Sequence, residues 1–411
     1  MKNKKYNLIV VGGGISGVAA AVSAAREGLS VLLVEKYGVL GGAMSNSLVY
    51  PFMKNSYNRG ERELSGGLFL EMLERQKLYQ EASYESFKFV FDDMVTEAGV
   101  EVLFHATVFE AKNDGNMITS VSVATKSGVM EFDADFYIDA SGDGELFAMA
   151  GCDYQHGREV DNYCQPMTTC FRMCGVDVEQ FVKDREMLQE KYKLAREEGK
   201  ITNPRENILV FLGYGEGILH FNTTRIVMCS PVDPFEVSKA EMEARRQISE
   251  LVCFLKENSK AFEKSSIISI AGHIGVRESR KLKGVHILTD EELINCVSFE
   301  DTIALGNRGM DIHNPVGTGT SFHRFKPDEY YQIPYGSLLP KEYVNMVVAG
   351  RCLSATHGAH SAVRIMPICA NMGEAAGTAV AVAMQTGKNA HTVDVKKIRE
   401  KLIQKGAVLE V

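Results

Sequence analysis

The hydrophobic pattern at the start of the chain predicts a strand, a turn, a helix and a second strand. Residues 7–11 form a short apolar run rich in β-branched residues, and residues 15–27 are rich in alanine. Another short apolar run, residues 30–34, follows Gly28. Short β-branched runs favour strands, whereas a longer alanine-rich stretch favours a helix. This part of the chain therefore predicts a β-α-β unit.

The turn between the first strand and the helix is rich in glycine. Gly12, Gly14 and Gly17 have the spacing Gly-x-Gly-x-x-Gly, with Ile15 and Ser16 before the last glycine. In a dinucleotide site one glycine permits a tight turn, one lets the backbone approach a pyrophosphate, and one lets the helix pack on the strand. The unpaired N–H groups at the helix N-terminus also favour negative phosphate charge. The turn therefore predicts a dinucleotide site.

An acidic residue at the end of the second strand supports this prediction. Glu35 lies 18 residues after Gly17 and is followed by Lys36. A carboxylate at this place can accept hydrogen bonds from the ribose of an adenosine, and it disfavours a 2′-phosphate. A glycine-rich turn without a ligand would not explain the acid. The unit therefore predicts NAD or FAD rather than NADP.

Three later segments favour FAD over NAD. The first is a second glycine-rich turn at residues 41–44, where an extended cofactor would run towards its flavin end. The second is an antiparallel meander from about residue 104, with glycine-containing turns, that ends in a strand at 136–140. The third is a strand at 345–351 that opens into a glycine, followed by a long Ala/Gly-rich helix at 367–385.

Together these segments resemble the bacterial FAD-dependent oxidoreductases of the two-dinucleotide-binding-motif, glutathione-reductase-like type. The resemblance covers nearly the whole chain. It is carried by VVGGGISGVAAAVSAAREGLSVLLVEK at the start, YIDASGDGELFAMAG in the middle and VVAGRCLSATHGAHSAVRIMPICANMGEAAGTAVAVA near the end. The stretch IGVRESRKLKGVHILT also looks typical of this group.

The resemblance implies FAD bound non-covalently to a Rossmann-like domain. It places Val108 near adenine, Asp143 near the cofactor, and Gly350 and Arg351 near the pyrophosphate and ribityl chain. It also points the N-terminus of the Pro367 helix at the flavin, where the helix dipole would stabilise the negative charge of the reduced form. The residues expected to bind FAD are Gly12, Gly14, Ile15, Ser16, Gly17, Glu35, Lys36, Gly41, Gly42, Ala43, Met44, Val108, Ala140, Gly142, Asp143, Gly350, Arg351, Pro367, Asn371 and Met372.

The expected fold is α/β, with an FAD-binding domain built from a parallel sheet and an antiparallel β-meander. This domain is discontinuous, with residues 1–155 and 330–411 on either side of an inserted α+β substrate domain, residues 156–329. In the insert we predict helices at 179–200 and 238–262, the second with a Ser238-x-x-Glu241 capping box, and strands at 207–212, 217–222 and 267–271.

The sequence contains no motif for a second redox group that would exchange electrons with the flavin. A second dinucleotide fingerprint, a Cys-x-x-Cys pair and a cysteine cluster for an iron–sulfur centre are all missing from the sequence. We therefore expect a single flavin and an external electron donor or acceptor of unknown kind.

The candidate catalytic residues are two histidines, which lie between the 345–351 strand and the last long helix, and two arginines. His357 or His360 could exchange a proton, because an imidazole titrates near neutral pH, or each could simply bond the backbone in a tight loop. Arg364 and Arg277 could hold an anionic substrate group with a bidentate guanidinium, or they could form internal ion pairs with Glu278 or Glu374. The other histidines have no regular ligand spacing, so no metal is expected.

Composition and net charge indicate the class of protein and limit the kinds of partner that it can bind. Hydrophobic residues make up 45% and charged residues 24% of the chain, as in ordinary globular proteins. A net charge of -8 argues against nucleic acid and anionic membranes as partners. The nine cysteines lack a regular spacing and suit reduced thiols, and glycines interrupt the apolar stretch at residues 8–25, so we expect a cytoplasmic protein without a membrane segment.

The sequence thus predicts an FAD-dependent dehydrogenase or reductase. It would transfer a hydride between flavin and a small polar metabolite, and that metabolite could be anionic. The alternative is an electron-relay subunit or a flavoprotein of the tRNA-modifying type, for which the local support is a basic cluster. That cluster is Arg277, Arg280, Lys281 and Lys283.

Overall fold

The computed structural model describes residues 5–57, 60–79 and 83–411. The helices are α1 (Ile15–Arg26), α2 (Ala43–Asn46), α3 (Leu68–Gln76), α4 (Phe87–Glu97), α5 (Glu145–Met149), α6 (Val178–Glu197), α7 (Pro234–Asn258), α8 (Asp290–Ile294), α9 (His357–Val363), α10 (Met366–Thr386) and α11 (Val395–Gln404).

The strands are β1 (Lys5–Val11), β2 (Val31–Val34), β3 (Ser56–Tyr57), β4 (Arg62–Glu63), β5 (Glu101–Leu103), β6 (Thr107–Asp114), β7 (Met117–Thr125), β8 (Gly128–Asp139), β9 (Tyr154–His156), β10 (Phe171–Cys174), β11 (Val210–Phe211), β12 (Leu219–Phe221), β13 (Ser266–Ile270), β14 (Arg280–Leu282), β15 (Thr302–Gly306), β16 (Met310–His313), β17 (Thr320–His323), β18 (Tyr331–Pro334) and β19 (Met346–Val348).

The main sheet combines parallel and antiparallel strands. Its order is β5-β2-β1-β8-β7-β6, and β19 also pairs with β8. Strands β5, β2, β1, β8 and β19 are parallel, whereas β6, β7 and the first half of β8 form the antiparallel meander. The predicted fold class is confirmed, and the carboxyl ends of the parallel strands meet at one edge of the sheet.

Two helices with small residues pack closely beside this sheet. A Cβ atom at Gly373 of α10 would collide with the carbonyl oxygen of Ser16, and one at Gly377 would collide with that of Ala20. Both helices are almost entirely buried. The small residues of the two helices therefore allow α10 to pack directly against α1, next to the glycine-rich turn.

The insert has its own antiparallel sheet, in the order β11-β12-β10-β13. Helices α6 and α7 cover it, and its core contains Phe171, Phe221 and Phe262. Strands β11 and β12 are shorter than predicted. Before β11, the Ile208 N–H donates to Gln189 Oε1 of α6 and the Leu209 N–H donates to Thr223 Oγ1, instead of to the backbone of a neighbouring strand.

The predicted start of α7 was wrong. The helix begins at Pro234, and the Asp233 side chain caps it by accepting hydrogen bonds from the N–H groups of Phe235 and Glu236. Ser238 lies inside the helix and donates to the Pro234 carbonyl, so it forms no capping box. A proline at the first turn preceded by aspartate is the stronger start signal.

The boundaries of the two domains remain a prediction. Part of the stretch assigned to the insert packs with the cofactor-domain core, including Leu288, Ile303 and Met310. The connection before α10, which contains His357 and His360, forms the short helix α9.

Two further observations concern the surroundings of the protein. Among the described residues, no single helix has the length and hydropathy needed to cross a membrane; α9 and α10 meet that criterion only as a pair, bent by 91°. All nine cysteines, each within the described residues, are free thiols.

Candidate active site

A cavity of about 680 Å³ extends from the glycine-rich turn of the parallel sheet into the insert. Its size is typical of small-molecule and cofactor sites. One half is formed by the carboxyl ends of the parallel strands, and we call it the cofactor half. The other, which we call the substrate half, is formed by residues 205–222, 273–277, 308–322 and 361–366.

The glycine-rich turn leaves open space at the cavity. Gly12 has a φ of 98° and lies against the Ala140 carbonyl, and a Cβ at Gly17 would collide with the Gly12 carbonyl. At Gly14, by contrast, the nearest atom to a Cβ would be the Gly42 Cα at 3.9 Å. Helix α1 has no side-chain cap, so its first N–H groups are free to bind an anion. This cradle fits a pyrophosphate.

Glu35 is held by the backbone at the edge of the cavity. Its Oε2 accepts a hydrogen bond from the Gly13 N–H at 2.6 Å, and its Oε1 accepts one from the Tyr37 N–H at 2.8 Å. Burial raises the pKa of this carboxyl, although both hydrogen bonds oppose the rise. Each oxygen keeps a further lone pair for a ribose hydroxyl.

The two glycine-rich turns contact each other through their backbones. The Gly41 N–H donates to the Gly13 carbonyl at 2.8 Å, and a Cβ at Gly42 would lie 2.9 Å from the Gly14 Cα. Positive φ angles of 104° at Gly41 and 57° at Gly42 make the second turn possible. The second turn therefore forms a wall of the cofactor half.

A partly buried ion pair lies on the other side of the cofactor half. Asp143 Oδ1 lies 2.9 Å from Arg351 Nη1 and accepts a hydrogen bond from Ser279 Oγ at 2.7 Å. Burial raises the pKa of Asp143, but the charges of Arg351 and Lys36 outweigh that effect and lower it. Asp143 is therefore a carboxylate at neutral pH.

Most residues expected to bind FAD line the cavity. They are Gly12, Gly14, Ile15, Ser16, Glu35, Lys36, Gly41, Gly42, Ala43, Val108, Ala140, Gly142, Asp143 and Arg351. Those that lie outside its lining are Gly17, Met44, Gly350, Pro367, Asn371 and Met372.

The residues outside the lining have structural contacts instead. Gly350 has a φ of 87° and lies beside Ser16, Met44 is buried in the core, and Asn371 Nδ2 donates to the Gly66 carbonyl at 3.1 Å. Helix α10 begins one residue before Pro367, and it is Ile365 and Met366 at its uncapped N-terminus that line the cavity.

Two arginines line the substrate half and are fixed on one segment. Arg277 Nη1 donates to the Pro166 carbonyl at 2.6 Å and to Thr168 Oγ1 at 2.5 Å. Arg364 Nη2 donates to Gln165 Oε1 at 3.0 Å. Burial lowers the pKa of Arg277 to about 9 and that of Arg364 to about 10, so both remain cations at neutral pH.

A histidine that the sequence did not single out for catalysis also lines the substrate half. His313 Nδ1 lies 3.0 Å from Thr320 Oγ1, and its Nε2 lies 3.5 Å from Asp311 Oδ1. Burial and then the neighbouring arginines, Arg277 first, lower its pKa strongly. The imidazole is therefore neutral at pH 7.

His357 and His360 lie outside the cavity lining. His357 Nδ1 is 2.9 Å from Glu278 Oε1, and His360 Nε2 is 2.7 Å from the Arg351 carbonyl. Burial lowers the pKa of His360 well below its usual value. The contact of His360 matches the backbone-bonding interpretation that the sequence left open for this residue.

The two carboxylates considered as ion-pair partners of Arg277 and Arg364 contact other groups instead. Glu278 is fully buried and pairs with Lys281, and Glu374 accepts a hydrogen bond from the Leu68 N–H at 2.9 Å. Arg277 and Arg364 are thus left to face the cavity.

The basic cluster at residues 277–283 does not form a single surface patch. Arg277 lines the cavity, Arg280 lies over the ring of Tyr154, and Lys281 is fully buried. Lys283 is partly exposed and lies 3.6 Å from Asp153. The structure therefore gives no support to a nucleic-acid surface built from these residues.

The comparisons with known proteins agree with this geometry. A family model described as FAD dependent oxidoreductase matches residues 7–402. The chain belongs to this family. It is an FAD-dependent oxidoreductase with FAD as its cofactor. The open backbone at Gly14, the uncapped N-terminus of α1 and the position of Glu35 fit that cofactor.

Individual relatives of this FAD-dependent oxidoreductase are distant. Mitochondrial dihydrolipoyl dehydrogenase of Schizosaccharomyces pombe is 30% identical over 140 residues, which cover 30% of this chain and 25% of that protein. The match thus spans about a quarter of the curated relative's length.

A solved structure shares the fold. A geranylgeranyl bacteriochlorophyll reductase-like protein from Thermoplasma acidophilum has a TM-score of 0.50 and 13% identity, over 98% of this chain and 84% of that one. The p-nitrophenol 4-monooxygenase PnpA of Pseudomonas putida DLL-E4 has a TM-score of 0.47 and 10% identity, over 98% and 84% of the respective chains.

Among the described residues, no group of three or more His, Cys, Asp or Glu side chains is placed to hold a metal ion. The cavity also has polar lining residues that the sequence did not single out as candidate site residues, among them His313, Asp311 and Arg205. None of them stands in a motif, and the only signal for them is their arrangement around one cavity.

Proposed function

We propose that this oxidoreductase transfers a hydride between a small anionic metabolite and FAD. The observation that carries the proposal is the position of Arg277 and Arg364 in the same cavity as the FAD-binding turn. Arg364 lies two residues before the start of α10, whose N-terminal residues Ile365 and Met366 line that cavity. An anion held there would lie beside the cofactor.

The bonding of the two arginines favours an anionic ligand. Their hydrogen bonds go to a carbonyl, a hydroxyl and a side-chain amide, all of which are neutral. A guanidinium withdrawn from water is stabilised by an opposite charge, and it binds a carboxylate through two parallel hydrogen bonds. A substrate carboxylate would supply that charge and would fix the orientation of the reacting C–H bond.

His313 is the residue that we propose for proton transfer. FAD supplies hydride acceptance or donation when it is bound, so the protein must handle one proton of the substrate. For an alcohol substrate, the C–H hydrogen leaves with two electrons and the O–H proton goes to the imidazole. Because Nδ1 lies near Thr320 Oγ1, we assign the exchange to Nε2, beside Asp311.

Binding of an anion would prepare this imidazole. The positive charges of Arg277 and Arg364 contribute to the lowered pKa of His313. A bound carboxylate would offset those charges, and the pKa would rise towards the range in which histidine exchanges protons at neutral pH. Substrate binding and proton acceptance would then be coupled.

The test is an anaerobic reduction screen on the FAD-loaded protein. Small 2-hydroxy acids are compared with their methyl esters, which keep the reacting carbon and lose the negative charge. We expect an acid, and not its ester, to bleach the visible flavin band, and the oxidised 2-oxo acid to restore it from the reduced enzyme. Equal rates with acid and ester, or turnover only in the presence of oxygen, would contradict the proposal.

The same material tests how the cofactor is attached. We propose non-covalent binding, because FAD of the family is expected to be held by the turn and the acid of the β-α-β unit. Acid precipitation should then release all flavin into the supernatant. Flavin that stays with the protein pellet would indicate a covalent bond.

A further inference from the structure

A third arginine faces the same cavity from a separate loop. Arg205 lies between α6 and β11, is only 8% exposed, and lines the substrate half. Its Nε donates to Asn207 Oδ1 at 3.2 Å, and its backbone N–H donates to Asn203 Oδ1 at 3.0 Å. The loop therefore holds the guanidinium in place through neutral groups.

The carboxylates of the substrate half are already paired with other arginines. Glu206 Oε2 lies 3.0 Å from Nη1 of Arg225, which is almost fully buried. Asp311 Oδ2 lies 3.7 Å from Arg308 Nη2. In the described part of the chain, no carboxylate lies within ion-pair distance of the three arginines that remain. Those are Arg205, Arg277 and Arg364.

The three unpaired cations are near one another. Repulsion from Arg364 and Arg205 contributes to the lowered pKa of Arg277, after burial. The charge of Asp311 opposes the lowering of the pKa of Arg277 and of Arg364, so this carboxylate offsets part of the repulsion. Arg205 likewise contributes to the lowered pKa of Glu206.

Neither Asp311 nor Glu206 lies within ion-pair distance of these three arginines. Cations withdrawn from water without a direct partner are costly, so the site favours a ligand that brings more than one negative charge. The negative charge of reduced flavin would offset only one of the three, and the FAD pyrophosphate is expected at the Gly14 turn.

We propose that the substrate carries two anionic groups, one bound by Arg277 and Arg364 and the other by Arg205. This inference rests on the proposed function and names its substrate class. Arg277 and Arg364 are anchored on residues 165–168, whereas Arg205 is anchored on its own loop. Two separately anchored sites around one cavity match two carboxylates at the ends of a small molecule better than a single doubly charged group.

The test measures anion affinity in the FAD-loaded protein at constant ionic strength. Acetate, succinate and methyl phosphate are titrated while the visible flavin spectrum and the temperature of flavin release are recorded. We expect succinate to bind at least about tenfold more tightly than acetate, because a second charge-assisted pair is formed. We expect methyl phosphate to bind more weakly than succinate.

Variants separate the two anion sites. Arg205→Gln should weaken succinate binding about tenfold and leave acetate binding unchanged, whereas Arg364→Gln should weaken both. Arg205→Lys, which keeps the charge, guards against a folding defect and should have an intermediate effect. Arg246→Gln, on the exposed face of α7 with a side chain 50% exposed, is the matched control and should change neither affinity.

The outcomes distinguish the two proposals. Equal affinities for acetate and succinate, or a succinate affinity that Arg205→Gln leaves unchanged, would overturn the two-anion inference and leave a single-anion substrate in place. Methyl phosphate binding as tightly as succinate without a need for Arg205 would overturn it as well. Failure of all three anions to bind would overturn both this inference and the anionic substrate of the proposed function.

Discussion

The cofactor half and the substrate half of the cavity recognise charge in different ways. In the cofactor half, glycine backbone, helix N–H groups and the Glu35 carboxylate face the space, and two backbone N–H groups hold that carboxylate. Gly14 and Glu35 belong to one β-α-β unit. In the substrate half, cationic side chains such as Arg277 and Arg364 come from distant segments and bond to neutral groups. We propose that the first half binds the cofactor mainly through backbone geometry, and that the second selects the substrate through side chains.

This difference has a consequence for mutation. A glycine that gives space to a cofactor cannot be replaced without filling that space, whereas an arginine can be replaced by a residue of similar volume that keeps the fold. We therefore expect changes in the cofactor half to abolish flavin binding, and changes in the substrate half to alter turnover in a protein that still contains flavin.

The largest effect is expected for Gly14→Val. The valine side chain would project into the open space of the turn, where no atom lies closer than 3.9 Å to a Cβ, so the chain should fold but exclude the pyrophosphate. Flavin content of the purified variant, measured by visible absorption, should be close to zero and should not be restored by added FAD. Gly28→Asn, at an open turn with a φ of 90°, is the control and should remain yellow. A Gly14→Val protein with full flavin content would refute the cofactor half as described.

The next effect concerns proton transfer in the substrate half. His313→Asn should slow reduction of the flavin by substrate about 10²–10⁴-fold, the usual contribution of general acid–base catalysis, while flavin content and spectrum stay unchanged. Stopped-flow reduction at saturating substrate measures this rate.

His357→Asn and His360→Asn are the comparison variants, since neither residue lines the cavity. We expect their reduction rates to stay within about tenfold of the unmodified protein. A strong slowing in His357→Asn or His360→Asn, together with a normal rate in His313→Asn, would show that a histidine of α9 exchanges the proton instead.

A smaller effect is expected for Arg364→Lys. A lysine keeps the charge but cannot form two parallel hydrogen bonds with a carboxylate, so KM should rise by about tenfold or more while kcat changes less. Arg277→Lys should behave similarly. Arg246→Lys on α7 serves as the control for loss of a guanidinium elsewhere. Unchanged KM in both cavity variants would show that these arginines do not bind the substrate.

The smallest effect on the site is expected for Glu374, a buried carboxyl on α10 that affects stability instead of binding. Burial raises the pKa of Glu374 to about 7, although its hydrogen bond from the Leu68 N–H opposes the rise. Since the unfolded carboxyl titrates near 4.5, the folded state binds more protons between these values. The stabilisation is therefore complete at low pH and is lost as the pH rises to about 7.

Glu374→Gln should remove this dependence. The melting temperature of the unmodified protein should fall between about pH 5 and pH 8 by more than that of the variant. Glu71→Gln is the control of opposite sign, because the hydrogen bond with Arg26 lowers the pKa of Glu71. Its stabilising contribution is lost at low pH. Parallel pH profiles for the Glu374→Gln and unmodified proteins would contradict the assignment.

The sequence by itself determined the glycine-rich turn and the acid of the cofactor half. Gly12, Gly14, Gly17 and Glu35 act through backbone space and strand ends within one β-α-β unit, so their spacing in the chain is also their spacing in the fold. The same holds for the antiparallel meander, whose glycine-containing turns predicted β6, β7 and β8. Local geometry of this kind can be predicted from the residue types of a short segment.

Only the tertiary structure decided the substrate half. Arg364 meets its partner Gln165 across 199 positions of the chain, and His313 meets Thr320 only because β16 and β17 form a hairpin beside the cavity. The sequence favoured His357 and His360 for their place before α10, but the direction of a helical side chain depends on which face of α9 is packed inward. Whether an arginine is paired with a carboxylate or left to face a ligand likewise depends on long-range packing, which spacing along the chain does not encode.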